Sequence, residues 1–318
     1  MAGRTRPVLP DLTGRCYVVT GGTGGLGYWA GEQLAQAGAT IVVAARTPAK
    51  GDAALASLAR HAPGAGGSAR FVRLDLANLA SVQEAAAELA ALPRIDGVLA
   101  NAGILSTHGR STTADGFETM MGTNLLGHFA LLGRLLPALE AQSAQDVPGG
   151  ARIVSLGSIS HEFFRLDLDD LQSSRGRWRE FRTYGRSKLA VMTFAFELDR
   201  RLRAAGSSVS SLVAHPGFAV DELAPQRDIL PAPKSGNAVV RAAYRTIGQG
   251  KDAGAWPLAA ALTSPDAAGG QYWGPAGWRQ LKGAPAVVDA KTYARDPALA
   301  ARLWAEAESL TGVPYPIS

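Results

Sequence analysis

Among its 318 residues the chain has one cysteine, Cys16, so no internal disulfide can form and no cysteine cluster can hold a metal. Long apolar runs are missing too: Gly, Arg or Pro interrupts each candidate before it could cross a bilayer. The opening "MAGRTRPVLPDLTGR" lacks the apolar core of a secretory signal. Positive charge has no continuous stripe. The net charge of +5 is scattered, with one cluster at "SSRGRWREFR" (173–182), which fits anionic small molecules better than nucleic acid. Lysine is scarce in a chain that draws its cations mostly from Arg, and Lys188 stands alone between Lys50 and Lys234. His128, His161 and His215 lack metal-ligand spacing and read as structural, so no metal is expected. Together these absences predict a cytoplasmic protein without a membrane span.

What remains is ordinary for a globular chain with a substantial core: 47% hydrophobic and 19% charged residues. Short β-branched runs alternate with longer amphipathic ones. Strands are predicted at 16–20, 40–45, 70–74, 97–101, 152–156, 209–214 and 271–274, with helical stretches such as 81–92 and 187–206 between them. Such alternation predicts an α/β fold, a Rossmann-type doubly wound parallel sheet of about seven strands with helices on both faces. "HAPGAGGSA" (61–69) and "AQSAQDVPGG" (141–150) read as loops rather than linkers, and no internal repeat is present. One domain is expected over 1–318, with a core at about 14–250 and a C-terminal extension at about 251–318. The extension carries a helix with Asp296 as cap, Pro297 in its first turn and Gly312 at its end.

"VVTGGTGGLG" (18–27) places five glycines between the first strand and the first helix. Backbone N–H groups and a helix N-terminus at that junction form an anion site, and glycine lets a pyrophosphate approach closely. About twenty residues further on, an acid would bond a ribose 2′-OH. Here the chain reads "VAARTPAK": Arg46 stands in that place, Lys50 is near, and no acid occurs before Asp52. Arg can clamp a 2′-phosphate, which predicts NADP(H) over NAD(H).

The loop's Thr20-Gly21, three residues, then Gly25-Leu26-Gly27 resembles the T-G-x-x-x-G-x-G loop of the short-chain dehydrogenase/reductase family. Further motifs agree in order: Asp75-Leu76 after the third strand, Asn101-Ala102-Gly103 after the fourth, then Asn124, Ser158, Tyr184 with Lys188, and Pro216-Gly217. The wording around Asn124 and "HPG" is most similar to the retinol-dehydrogenase-like branch and its bacterial relatives. The resemblance implies cofactor contacts from Gly21, Thr23, Gly25, Leu26, Gly27, Asp75, Leu76, Asn101, Gly103, Pro216 and Gly217, besides Arg46. It implies Tyr184 as general acid, Lys188 holding the nicotinamide ribose, Ser158 donating to the substrate oxygen, and Asn124 stabilising a helix break. A homodimer through the helices bearing Asn124 and Tyr184 is a further implication.

The residues themselves support the Tyr184–Lys188 pair. One helical turn separates them, and an ammonium there favours the phenolate and lowers its pKa. Ser155 and Ser160 flank Ser158, which takes the catalytic place when counted from the strand. The chain departs from the family after "HPG": Asp221 stands where a Thr usually bonds the nicotinamide carboxamide. Asp221 either accepts from that amide or caps a short lid helix.

Phe163, Phe164, Trp178, Phe218, Leu223 and Ile229 lie in the two segments that should frame the mouth, with Arg175, Arg177 and Arg179 flanking. A bulky, partly apolar or aromatic carbonyl or secondary alcohol is the expected substrate, such as a secondary metabolite. The alternatives are an epimerase working through transient oxidation and a non-catalytic NADP(H)-binding sensor. The Ser158, Tyr184 and Lys188 set favours catalysis.

Overall fold

The computed structural model describes residues 7–62, 68–146, 149–230 and 238–317. β1 (Cys16–Thr20), α1 (Gly25–Gln36), β2 (Thr40–Ala45), α2 (Pro48–His61), β3 (Ala69–Arg73), α3 (Leu79–Ala90) and β4 (Gly97–Ala100) follow the predicted alternation. Next come α4 (Thr119–Met121), a π-helical turn over Gly122–Leu126 and α5 (Gly127–Asp146), which run on as one rod. β5 (Arg152–Leu156), α6 (Glu180–Ala204) and β6 (Ser210–Ala214) continue the pattern. The remainder is β7 (Ala219–Val220), α7 (Ala238–Ile247), β8 (Gln249–Gly250), α8 (Lys251–Gly254), α9 (Trp256–Thr263), β9 (Tyr272–Pro275), β10 (Pro285–Val287) and α10 (Pro297–Thr311).

The main sheet has eight strands in the order β10-β9-β6-β5-β4-β1-β2-β3. Seven are parallel, and β10 pairs antiparallel with β9 at the edge. The expected count of about seven omitted β10, a three-residue edge strand opened by a proline, too short to show a period. The stretch expected as an extension from about residue 251 therefore supplies two strands of the main sheet as well as a helix. α5 runs to Asp146, through much of the loop expected at 141–150. The remaining residues of that loop at 147–148, the middle of the loop at 61–69, the end of the lid segment at 231–237 and the first six residues lie outside the described residues.

Local chemistry explains the element ends. Asn78 caps α3 by accepting from the N–H groups of Ala80 and Ser81 at 2.9 and 3.3 Å. Asp296 does the same for α10, and Gly312 closes it in the left-handed region at φ 64°. β1 is buried at every position because helices cover both faces. One core lies between the sheet and α3, α5, α6 and α10; the other lies under α1, α2 and α9.

The chain leaves β1 for β2 and β3 on one side and returns to β4 on the other. That reversal opens a crevice at the carboxyl ends of β1 and β4, where the glycine loop and Asn101 sit. Across the molecule, α10 and the tail pack on α5 and α6. Phe129, Phe194, Trp304 and Tyr315 form one aromatic cluster, and the Tyr315 hydroxyl donates to the Phe129 carbonyl at 2.8 Å. α10 thus covers a face of the two helices through which a homodimer was expected. Among the described residues no helix is long and apolar enough to cross a membrane.

Candidate active site

Thr20 ends β1, and the chain turns through Gly21 and Gly25 at φ 68° and 53°, conformations that favour glycine. A Cβ on Gly21 would lie 3.0 Å from the Ala102 Cα, and one on Gly27 would lie 2.7 Å from the Gly21 carbonyl. These two glycines let α1 and the loop after β4 close on each other. Gly24 has a different role: a Cβ there would meet nothing within 4 Å, so the missing side chain leaves open space. Gly24 also caps α1 without any side-chain bond, and the first turn holds no acid. The helix thus presents uncapped N–H groups to the crevice, an arrangement fitted to a phosphate group.

The crevice is a cleft of about 330 Å³. Gly21, Thr23, Gly25 and Leu26 line it from the loop, Asp75 and Leu76 from the end of β3, and Asn101 and Gly103 from the end of β4. Arg46 and Lys50 line it beyond β2; both are exposed, and among the described residues neither forms an ion pair. Gly27 contributes close packing instead of lining. Pro216, Gly217 and Asp221 are not among the lining residues; they build the loop after β6. Gly217 takes φ 67° there and its N–H donates to His215 Nδ1 at 3.2 Å.

At the inner end of the cleft, a Cβ on Gly103 would lie 3.1 Å from Asn124 Oδ1 and 3.4 Å from Lys188 Nζ. Asn124 sits in the π-helical turn, where the rod departs from regular α-helix. Its amide clamps the loop after β4: Oδ1 accepts from Ile104 N–H at 2.8 Å, and Nδ2 donates to the Ile104 carbonyl at 3.1 Å and to Ser187 Oγ at 2.9 Å. Ser187 in turn donates to the Tyr184 carbonyl at 2.8 Å. The Asn124 carbonyl can only accept, so His128 Nδ1 donates to it at 3.0 Å. Neutral His128 Nε2 then accepts from Thr20 Oγ1 at 2.9 Å. Burial holds His128 down to about 4, so the ring is neutral between its two hydrogen bonds.

Ser158 follows β5 and stands beside the Tyr184 phenol. Its Oγ accepts from Ser160 N–H at 3.1 Å, which leaves the hydroxyl proton to donate forward. Lys188 lies one turn beyond Tyr184, fully buried, and donates to the Leu156 carbonyl at 2.9 Å. Burial pulls its pKa down to about 8. Burial also raises Tyr184 above the ordinary tyrosine value, and the Ser158 hydroxyl beside it opposes this. The expected lowering of Tyr184 by Lys188 does not accompany this, and the ammonium bonds the Leu156 carbonyl. Tyr184 is accordingly a protonated acid through neutral pH. Cys16 takes no part, since burial pushes its thiol up to about 11.

The expected mouth is only partly as read. Phe163 stands 68% exposed, but Phe164 lies on Gly185, Phe218 packs against Tyr244, and Ile229 packs on the core beneath α1. Phe181 and Trp278, unforeseen in the sequence, are 63% and 73% exposed on α6 and after β9.

One charged lining residue was missed altogether. Lys251, the first residue of α8, reaches the cleft and pairs with the Asp221 carboxylate at 2.7 Å. Asp221 starts a short 3-10 turn without capping it, so the lid-helix cap expected as one alternative does not form. The signal for Lys251 was the scarcity of lysine: Lys50, Lys188 and Lys251 all face this region.

The short chain dehydrogenase family model matches residues 15–165. A polyprenol dehydrogenase of Mus musculus is 37% identical over 310 residues, covering 96% of this chain and 86% of that protein. Retinol dehydrogenase 13 of Homo sapiens is 32% identical over 99% of this chain and 90% of its own. The crystal structure of an uncharacterized protein from Mycobacterium Paratuberculosis matches with a TM-score of 0.78 at 33% identity, covering 99% of this chain and all of that one. The chain belongs to the short-chain dehydrogenase/reductase family, in its retinol-dehydrogenase-like branch.

Proposed function

We propose that the protein is an NADP(H)-dependent oxidoreductase acting on the carbonyl or secondary alcohol of a bulky, partly apolar substrate. Family membership makes it an oxidoreductase. The observation that carries the finer reading is buried Lys188, with Asn124, against Gly103 on the lining of a cleft that also holds Arg46 and Lys50, and Ser158 beside the Tyr184 phenol one turn before Lys188. The bound nicotinamide supplies or takes up the hydride. In the reducing direction Ser158 donates to the substrate oxygen and Tyr184 gives it a proton, completing the alcohol. Lys188 and the Asn124 clamp hold the floor of the site in place. Arg46 and Lys50 suit a 2′-phosphate through charge-assisted bonds. The exposed rings of Phe163, Phe181 and Trp278 suit an apolar substrate body. A lone buried thiol suits a reducing compartment, and a cytoplasmic setting belongs to this reading.

Tyr184→Phe tests the chemistry. The variant should bind NADPH as the wild type does, while NADPH consumption with aryl ketones and long-chain aldehydes drops by about 10²–10⁴-fold. Wild type should bind NADPH more tightly than NADH. Retained turnover in Tyr184→Phe would overturn the assignment of the acid, and equal affinities would remove the 2′-phosphate role of Arg46.

A further inference from the structure

Lys251 is a cation in the cleft that neither the glycine loop nor the catalytic set explains. Its Nζ stands 3.9 Å from the position a Cβ on Gly25 would take, over the open N-terminus of α1. A helix N-terminus carries roughly half a positive charge, so an ammonium beside it is unfavourable without a negative group close by. Here the Asp221 carboxylate supplies that charge, at 2.7 Å. The placement is built into the backbone. β7 and β8 pair in parallel with Ala219 opposite Gln249 and Val220 opposite Gly250. Asp221 and Lys251 are the next residues of the two strands, so the ion pair is the following rung of that ladder. An ammonium has three protons to donate, and Asp221 takes one.

We infer that Lys251 is a diphosphate-binding residue of the nucleotide site and that Asp221 is its positioning partner, holding the ammonium above the glycine loop. This rests on the nucleotide reading of the cleft. It gives Asp221 a part that its departure from the family pattern did not suggest: the carboxylate serves the phosphate end through Lys251 instead of receiving the carboxamide. It also explains why a negative residue is tolerated beside a site for an anion, since Lys251 neutralises it.

Calorimetric titration with NADPH tests the pair, alongside thermal melting of each variant. Lys251→Met should weaken binding about tenfold or more, because a charged donor is lost and Asp221 is left facing the phosphates unpaired. Lys251→Arg should keep near wild-type affinity, and the weakening in Lys251→Met should shrink as salt is raised. The double variant Lys251→Met/Asp221→Asn should recover part of the loss, which a merely structural role would not produce. Unchanged affinity in Lys251→Met, or a double variant as weak as the single one, would overturn the inference alone. A wild type that binds neither NADPH nor NADH would overturn the nucleotide reading and this inference with it.

Discussion

Held beneath the cleft by α6 and β5, the Lys188 ammonium is fully buried and bonds a carbonyl, not a carboxylate. Its pKa falls from 10.5 to about 8. A base whose folded-state value lies below its unfolded value makes the native chain bind fewer protons between those two points. The penalty is complete below about pH 8 and fades as pH rises towards 10.5. Lys188→Met should therefore stabilise the protein near pH 7, by on the order of 2–3 kcal/mol less the lost hydrogen bond. The gain should shrink by pH 10, while activity is lost. Urea unfolding of both proteins across that range measures it; a variant less stable at pH 7 would mean that the ammonium is not destabilising where it sits. The Tyr184–Lys188 spacing was legible because both groups must share one helix face. The direction of the Tyr184 shift was not, because spacing says nothing of where the ammonium turns.

At the level of elements, the parallel strands were plain in the sequence, since the first of them, β1 and β2, are almost wholly apolar on both faces and the later runs are short and β-branched. β7, β8 and β10 were hidden, for strands of two or three residues carry no period. Periodicity did not mark the π-helical turn, since its residues fit a continuous helix; only the family resemblance at Asn124 implied a break there, and the Asn124 clamp on Ile104 holds it. α10 was legible through its caps, but the surface it covers was not. Trp304 and Tyr315 pack on Phe129 and Phe194, so deletion from Asp296 onwards would bare large apolar rings. That truncated chain should self-associate or precipitate where the full chain does not. Light scattering would show it, and a truncated chain as dispersed and as heat-stable as the full one would mean that α10 protects nothing.

Across the whole molecule, strand order brings residues far apart in sequence to one edge of the sheet. The reversal between β1 and β4 gathers the glycine loop, Arg46, Asp75 and Asn101 around one cleft, and α6 delivers Lys188 to Gly103 on its lining. These residues could be read in advance because the chemistry dictates residue type at fixed distances from strand ends. Lys251 could not, because a paired ribbon rather than a motif carries it there. The central claim is hydride transfer at this cleft. NADPH deuterated at the transferring position of C4, incubated with a carbonyl panel, tests it most directly by mass spectrometry of the products. The account predicts one deuterium on the former carbonyl carbon with wild type and transfer slowed by about 10²–10⁴-fold with Tyr184→Phe, although both proteins bind the nucleotide. A wild type that binds NADPH but passes deuterium to no carbonyl carbon, or a Tyr184→Phe variant that passes it as readily, would contradict the account.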